Sequence, residues 1–122
     1  MILVNELLKY DEFSQETDVV LSDGEFTLVC FAHPCNLVKG QVFNDDVYVL
    51  NAEGIYKSAT ERSIINKLES HYSYHLSGKV IDIAKQIVQV GEFKICLGGE
   101  GIPKDIKEGD FIEFDAYRLD LY

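Results

Sequence analysis

The sequence predicts a single β-rich α+β domain, a partly open small β-barrel with one helix near residues 59–70. Aromatic and β-branched residues favour strands, and the 122 residues include seven Tyr, seven Phe and no Trp. Short apolar runs alternate with turn signals along most of the chain, and one segment combines helical periodicity with a capping signal. A chain of this length forms one domain, residues 1–122.

The first half of the chain predicts two hairpins. Residues 2–10 fit either a strand or a short helix. The pair Asp23-Gly24 separates two apolar runs, which is a strong hairpin signal. The second run, residues 25–31, is apolar on both faces and predicts a central strand that ends at His33-Pro34. Residues 51–54 separate two further apolar runs and predict a second hairpin.

The predicted helix begins at a capping box. Ser58 stands three residues before Glu61, the spacing of an N-cap and its partner. Apolar residues then follow at helical spacing, namely Ile64, Ile65, Leu68 and Tyr72.

The last third of the chain predicts strands over residues 76–84, 87–90, 92–97 and 110–122. In the last of these, the apolar positions change parity between Ala116 and Tyr117. A one-residue change of parity exchanges the two faces of a strand, so we expect a β-bulge there. A strongly bent terminal strand is typical of small barrels.

Three segments carry a resemblance to OB-fold-like barrels. They are Ser77-Gly-Lys-Val-Ile-Asp-Ile83, the run from Val90 to Leu97, and the run from Ile102 to Phe114 with its Ile-Lys-Glu-Gly-Asp turn. The resemblance covers residues 74–122 and names an architecture rather than a specific family, because SH3-like barrels use the same turns. It implies that oligonucleotide binding is one function to consider, by analogy of fold only.

The excess negative charge lies at the two ends of the chain. The formal net charge is −10, yet residues 26–99 carry seven acids and seven bases. Such a chain attracts cationic partners and repels phosphates. Nucleic acid is a disfavoured partner, because Lys79, Lys85, Lys94 and Arg118 are scattered and counterion release needs a basic stripe.

The candidate catalytic and metal sites are weak. Cys30, His33 and Cys35 form the most ligand-like cluster, but they lack a recognisable second pair of ligands. A thiol nucleophile paired with histidine has no local signature. No cofactor motif is present, so we expect a protein that is not an enzyme and needs no cofactor.

The predicted function is a non-enzymatic, acidic protein-binding module, most concretely an inhibitor of a basic partner, of the immunity-protein or antitoxin kind. The predicted partner-binding residues are acids and tyrosines near the two ends, where tyrosines within a charged rim are typical of interfaces. They are Glu6, Asp11, Glu12, Glu113, Asp115, Tyr117, Asp120 and Tyr122. The alternatives are an OB-like nucleic-acid or ribonucleoprotein adaptor, and a small zinc or thiol protein that uses Cys30, His33 and Cys35.

Three cysteines and no signal-like segment predict a cytoplasmic protein. No run approaches the roughly 20 apolar residues of a membrane span. The sequence leaves the oligomeric state open. It also leaves open whether the two acidic ends form one patch, which depends on whether residues 1–10 and 111–122 are neighbours.

Overall fold

A computed structural model describes residues 1–8, 12–98 and 101–122. These residues form ten strands in one hydrogen-bonded sheet. The strands are β1 (Ile2–Leu8), β2 (Thr17–Ser22), β3 (Thr27–Ala32), β4 (Val42–Phe43), β5 (Val47–Lys57), β6 (Ile64–Lys67), β7 (Tyr74–Asp82), β8 (Ile87–Val90), β9 (Phe93–Cys96) and β10 (Phe111–Leu121).

Five of the strands close into a small barrel. β10 pairs antiparallel with both β5 and β7, and β7, β8 and β9 follow as antiparallel neighbours. A short parallel pair between β5 and β9, at Val47–Ile95 and Tyr48–Cys96, completes the ring. The expectation of a small barrel is therefore confirmed, and the barrel is closed rather than partly open.

The remaining strands extend the sheet on either side of this ring. β4, β1, β2 and β3 lie side by side, and β3 joins β10 through a parallel pair at Asp120–Phe31 and Leu121–Ala32. The predicted first hairpin is confirmed, because β2 and β3 pair antiparallel around Asp23-Gly24. β6 pairs with β7 and forms the other end of the sheet.

The predicted helix near residues 59–70 is wrong, and the α+β class with it. The described residues contain no helix, and residues 64–67 form β6 instead. Ser58 bonds to Thr60 and to the Glu113 carboxylate rather than capping a helix. Pairing with β7 sets Ile65 opposite the fully buried Leu76, so packing against an existing strand overrides the helical spacing.

The second hairpin is also wrong, since β5 runs without interruption through residues 51–54. Asn51 and Gly54 have positive φ angles of 57° and 61°. The register of β5 with β10 shifts between Glu113 and Asp115, which marks a β-bulge. Asn51 and Gly54 are typical turn residues, but they lie in the strand that contains this bulge. The sequence predicted a bulge in β10 near Ala116. The register shift between β5 and β10 instead lies nearer the start of β10, and the extra residue of the bulge belongs to β5.

β10 nevertheless exchanges its faces where the sequence predicts. Ile112, Phe114 and Ala116 are buried, and then Leu119 and Leu121 are buried on the opposite parity. The exchange occurs where β10 leaves β7 and begins to pair with β3. One strand thus contributes first to the barrel interior and then to the core under the added strands.

A buried tyrosine ties the two parts together. The Tyr74 hydroxyl on β7 accepts a hydrogen bond from the Val29 N–H on β3 at 2.9 Å, and only 4% of Tyr74 is exposed.

In the described part of the chain, no helix is long and apolar enough to cross a membrane.

Candidate functional site

Acids and tyrosines share one outer face of the barrel along β5 and β10. The sheet register sets Glu113 opposite Tyr56 and Asp115 opposite Glu53, and Tyr117 follows on the same side. Side chains alternate along a strand, so burial of residues 112, 114 and 116 directs 113, 115 and 117 outward. We refer to Glu53, Tyr56, Glu113, Asp115 and Tyr117 as the acid–tyrosine face.

The tyrosines of this face are well exposed. Tyr56 is 51% exposed and Tyr117 57% exposed. Tyrosine offers a large, semi-rigid surface with one polar group, which is the reason for its enrichment at protein interfaces. Exposure of both rings beside carboxylates therefore gives this face the composition of a binding surface.

His75 lies between two of the carboxylates. Its Nδ1 is 2.6 Å from Asp115 Oδ1, and its Nε2 is 3.0 Å from Glu113 Oε1. Hydrogen bonds to Asp115 and then to Glu113 raise the pKa of His75. The bonds from His75 and from Ser58, whose Oγ is 2.8 Å from Glu113 Oε2, lower the pKa of Glu113.

The hydrogen bonds of His75 occupy both of its ring nitrogens. Each nitrogen lies against a carboxylate oxygen, one of Asp115 and one of Glu113. Ser58 bonds to Glu113 rather than to His75. The network instead fixes the orientation of two carboxylates on the barrel surface.

Glu53 and Asp115 form an unfavourable pair. They stand directly opposite each other on neighbouring strands, an arrangement in which like charges destabilise a sheet. Within residues 1–8, 12–98 and 101–122, no lysine or arginine forms a salt bridge with either of them. His75 partly compensates Asp115.

A depression of about 160 Å³ lies beside this pair. Small-molecule pockets usually measure roughly 300–1,000 Å³, so this depression suits the end of one long side chain rather than a substrate. Its lining consists of Asn51, Glu53, Leu68, Ser73, Asp115, Ala116 and Tyr117. A lysine or arginine placed there would meet two carboxylates, an apolar floor and a tyrosine.

The predicted partner-binding residues do not all come together. Glu113, Asp115 and Tyr117 lie on the acid–tyrosine face. Glu6 is exposed on β1 and Glu12 is exposed beyond it, while Asp11 lies outside the described residues. β2 and β3 separate β1 from β10 in the sheet, so the strands are about 14 Å apart. Strand pairing therefore does not merge the two acidic ends into one patch.

Asp120 and Tyr122 occupy different surroundings at the end of β10. Asp120 is 6% exposed and accepts two bonds from Arg118, at 2.6 and 3.1 Å. Arg118 also lies over the Phe31 ring, 4.3 Å from its centroid. Tyr122 is 88% exposed and makes an edge contact with Tyr48. The Asp120 carboxylate is thus engaged within the fold, and Tyr122 is accessible.

The cysteines lie apart from the acid–tyrosine face. Cys30 is buried in β3, and this burial raises the pKa of its thiol, with Asp120 adding to the effect. Cys35 is half-buried and donates a weak bond to the Leu37 carbonyl. No group of three or more His, Cys, Asp or Glu in the described part of the chain is arranged to hold a metal ion.

A second polar cluster joins β2 to the β6–β7 turn. The Asp18 carboxylate is buried and accepts a bond from the Tyr72 hydroxyl at 2.6 Å, and its other oxygen lies 2.9 Å from His71 Nε2. Burial and then the bond to Asp18 raise the pKa of Tyr72 to about 12. Tyr72 therefore stays protonated and donates its hydrogen bond to Asp18. This bond suits a structural link between β2 and the β6–β7 turn.

Glu53, Tyr56 and His75 are not among the partner-binding residues that the sequence predicts. The sequence places Glu53 in the predicted hairpin loop of residues 51–54, where an acidic residue indicates no particular function. The register of β5 with β10 is what makes it the partner of Asp115, and no local pattern carries that information.

Comparison with protein-family models, with curated proteins and with solved structures found no match for this chain.

Proposed function

We propose that this protein is a non-enzymatic binding module that docks a basic protein partner on the acid–tyrosine face. The opposed pair Glu53–Asp115 carries the proposal. Its repulsion costs the free protein stability, and a cation from a partner would remove it. The exposed rings of Tyr56 and Tyr117 supply contact area beside that cation.

The most concrete version is an inhibitor that covers a basic active partner, as immunity proteins and antitoxins do. A net charge of −10 supports it, because complementary charge accelerates encounter with a cationic protein. The engaged nitrogens of His75 support a role in binding rather than catalysis.

Affinity capture with charge-matched variants tests this function. The variant Glu53→Lys with Asp115→Lys reverses the opposed pair, and the control Glu6→Lys with Glu12→Lys changes net charge equally elsewhere. We expect the wild type and the control to capture a basic protein that the first variant loses. The purified complex should weaken as salt rises. Equal losses in both variants, or binding indifferent to salt, would refute the proposal.

The nucleic-acid alternative has a direct test. Fluorescence anisotropy of a labelled single strand at low salt should show no binding to the wild-type protein. Salt-sensitive binding of the strand would favour the adaptor function over the protein-binding one.

A further inference from the structure

The geometry points to an arginine side chain of the partner, rather than a lysine, as the group that enters the depression beside Glu53 and Asp115. The inference rests on the proposed function, because it names the residue that the acid–tyrosine face would hold. The depression measures about 160 Å³, and among the described residues that line it two are acids and none is a base. The attraction for a cation is therefore local and does not depend on the net charge of the chain.

The carboxylates of this depression are only partly used by the fold. Asp115 meets His75 through Oδ1. Within residues 1–8, 12–98 and 101–122, its Oδ2 and both oxygens of Glu53 accept no hydrogen bond. These oxygens lie on neighbouring strands at one register position, so a single group with several donors can reach both carboxylates.

Two bases stand next to lining residues in the chain, and both are held elsewhere. Lys67 precedes Leu68, and its Nζ donates to the Leu68 carbonyl. Arg118 follows Tyr117, but its guanidinium bonds to Asp120 at 2.6 and 3.1 Å. Neither base forms a salt bridge with a carboxylate of the depression. These two residues therefore leave the depression to a cation from another molecule.

The turn between β6 and β7 gives the depression a fixed wall. The Ser73 hydroxyl donates to the Tyr117 carbonyl at 2.9 Å, and the Leu68 N–H donates to the Ser73 carbonyl at 3.0 Å. Binding to a wall that is already ordered costs less conformational entropy. The Leu68 side chain is 37% exposed and offers apolar contact to the methylene stem of a long basic residue.

A guanidinium suits these groups better than an ammonium. Its N–H donors form a planar fork, so it can bond to both oxygens of one carboxylate and still donate to the next. It also stacks on aromatic rings, and the half-exposed Tyr117 ring lines the same depression. An ammonium is a compact, strongly hydrated charge that makes less of both contacts.

Three capped tripeptides test the inference. Each has one central residue between two glycines, which is arginine, lysine or citrulline, a neutral analogue of arginine. Amide chemical shifts of the protein at low salt report both the site and the affinity. We expect the arginine peptide to shift the amides of Glu53, Ala116 and Tyr117 most and to bind at least about threefold more tightly than the lysine peptide. The citrulline peptide should bind at least about tenfold more weakly than the arginine peptide.

Equal affinities of the arginine and lysine peptides would overturn the inference. So would largest shifts outside the acid–tyrosine face, or the absence of saturable shifts with the arginine peptide.

Matched variants separate the two parts of the recognition. Glu53→Gln removes one charge with little change of shape and should weaken the arginine peptide at least about threefold. Glu6→Gln makes the same change on β1 and should leave its affinity unchanged. Tyr117→Leu should narrow the preference for arginine over lysine, because it removes the ring and keeps an apolar side chain. Equal losses in Glu53→Gln and Glu6→Gln would mean attraction by net charge and would contradict the inference.

Affinity capture judges the proposed function separately. A basic partner that is lost on reversal of Glu53 and Asp115, together with arginine and lysine peptides of equal affinity, would uphold that function and refute the preference for arginine. Capture that survives this reversal would refute both.

Discussion

Reversing the charge of Glu53 should stabilise this protein while it disrupts the proposed binding face. Side chains directly opposite on antiparallel strands have Cβ atoms about 5 Å apart. The charges lie beyond the Cβ atoms, on the carboxylates, and two unit charges about 5 Å apart set the scale at about 0.8 kcal/mol in a water-like dielectric. Both carboxylates are largely exposed, so the water-like value applies.

Glu53→Lys replaces the repulsion from Asp115 with an attraction of similar size, and the nearby His75 offsets part of the gain. We therefore expect the free energy of unfolding to rise by about 1 kcal/mol, which corresponds to about 4 °C in Tm for a domain of this size. Glu6→Lys changes the net charge equally at an exposed position of β1 and serves as the control.

Urea unfolding followed by circular dichroism gives the free energies of both variants and of the wild type. Added salt should shrink the gain of Glu53→Lys, because screening weakens interactions between exposed charges. A Glu53→Lys variant no more stable than Glu6→Lys, or a gain that is unchanged in concentrated salt, would show that repulsion between Glu53 and Asp115 does not limit stability.

Three further variants probe the packing and the charge network. Tyr74→Phe should cost about 1–3 kcal/mol of unfolding free energy, because it leaves the Val29 N–H without its partner in the core. Gly78→Ala should cost about 1–3 kcal/mol, because a Cβ there would lie 2.4 Å from the backbone oxygen of Gln89; a stability equal to wild type would contradict this packing. The pKa of His75 is raised by its two carboxylate partners, so its contribution to stability is complete below its unfolded pKa of about 6.5 and is lost as pH rises through the raised value. The stability difference between wild type and His75→Gln should accordingly shrink toward alkaline pH in urea titrations, and a difference that grows with pH would refute the assignment.

The sequence predicted the strands well where the turn residues and the alternation agree. Asp23-Gly24 marked a real hairpin, and the run from Ile87 to Val90 became β8 at the expected bounds. These features depend on local chemistry, such as the Asp23 carboxylate accepting bonds from the Glu25 and Phe26 amides. These interactions join residues that are close in the sequence, so a single sequence is enough to predict them.

The errors occurred where a distant strand decides the local conformation. The spacing of Ile64 and Ile65 suits a helix, but β7 offers a strand to pair with, and β6 forms along it. Asn51 and Gly54 are typical turn residues, yet β5 pairs with β10 through this segment and accommodates them with a β-bulge. In both cases the partner is far along the chain, so no local window contains the information.

Only part of the candidate site could be predicted from the sequence, for the same reason. Glu113, Asp115 and Tyr117 alternate along one strand and could be predicted as one face. Their partners across the sheet, Glu53 on β5 and His75 on β7, depend on register. Register also separated the N-terminal acids from β10 by two strands.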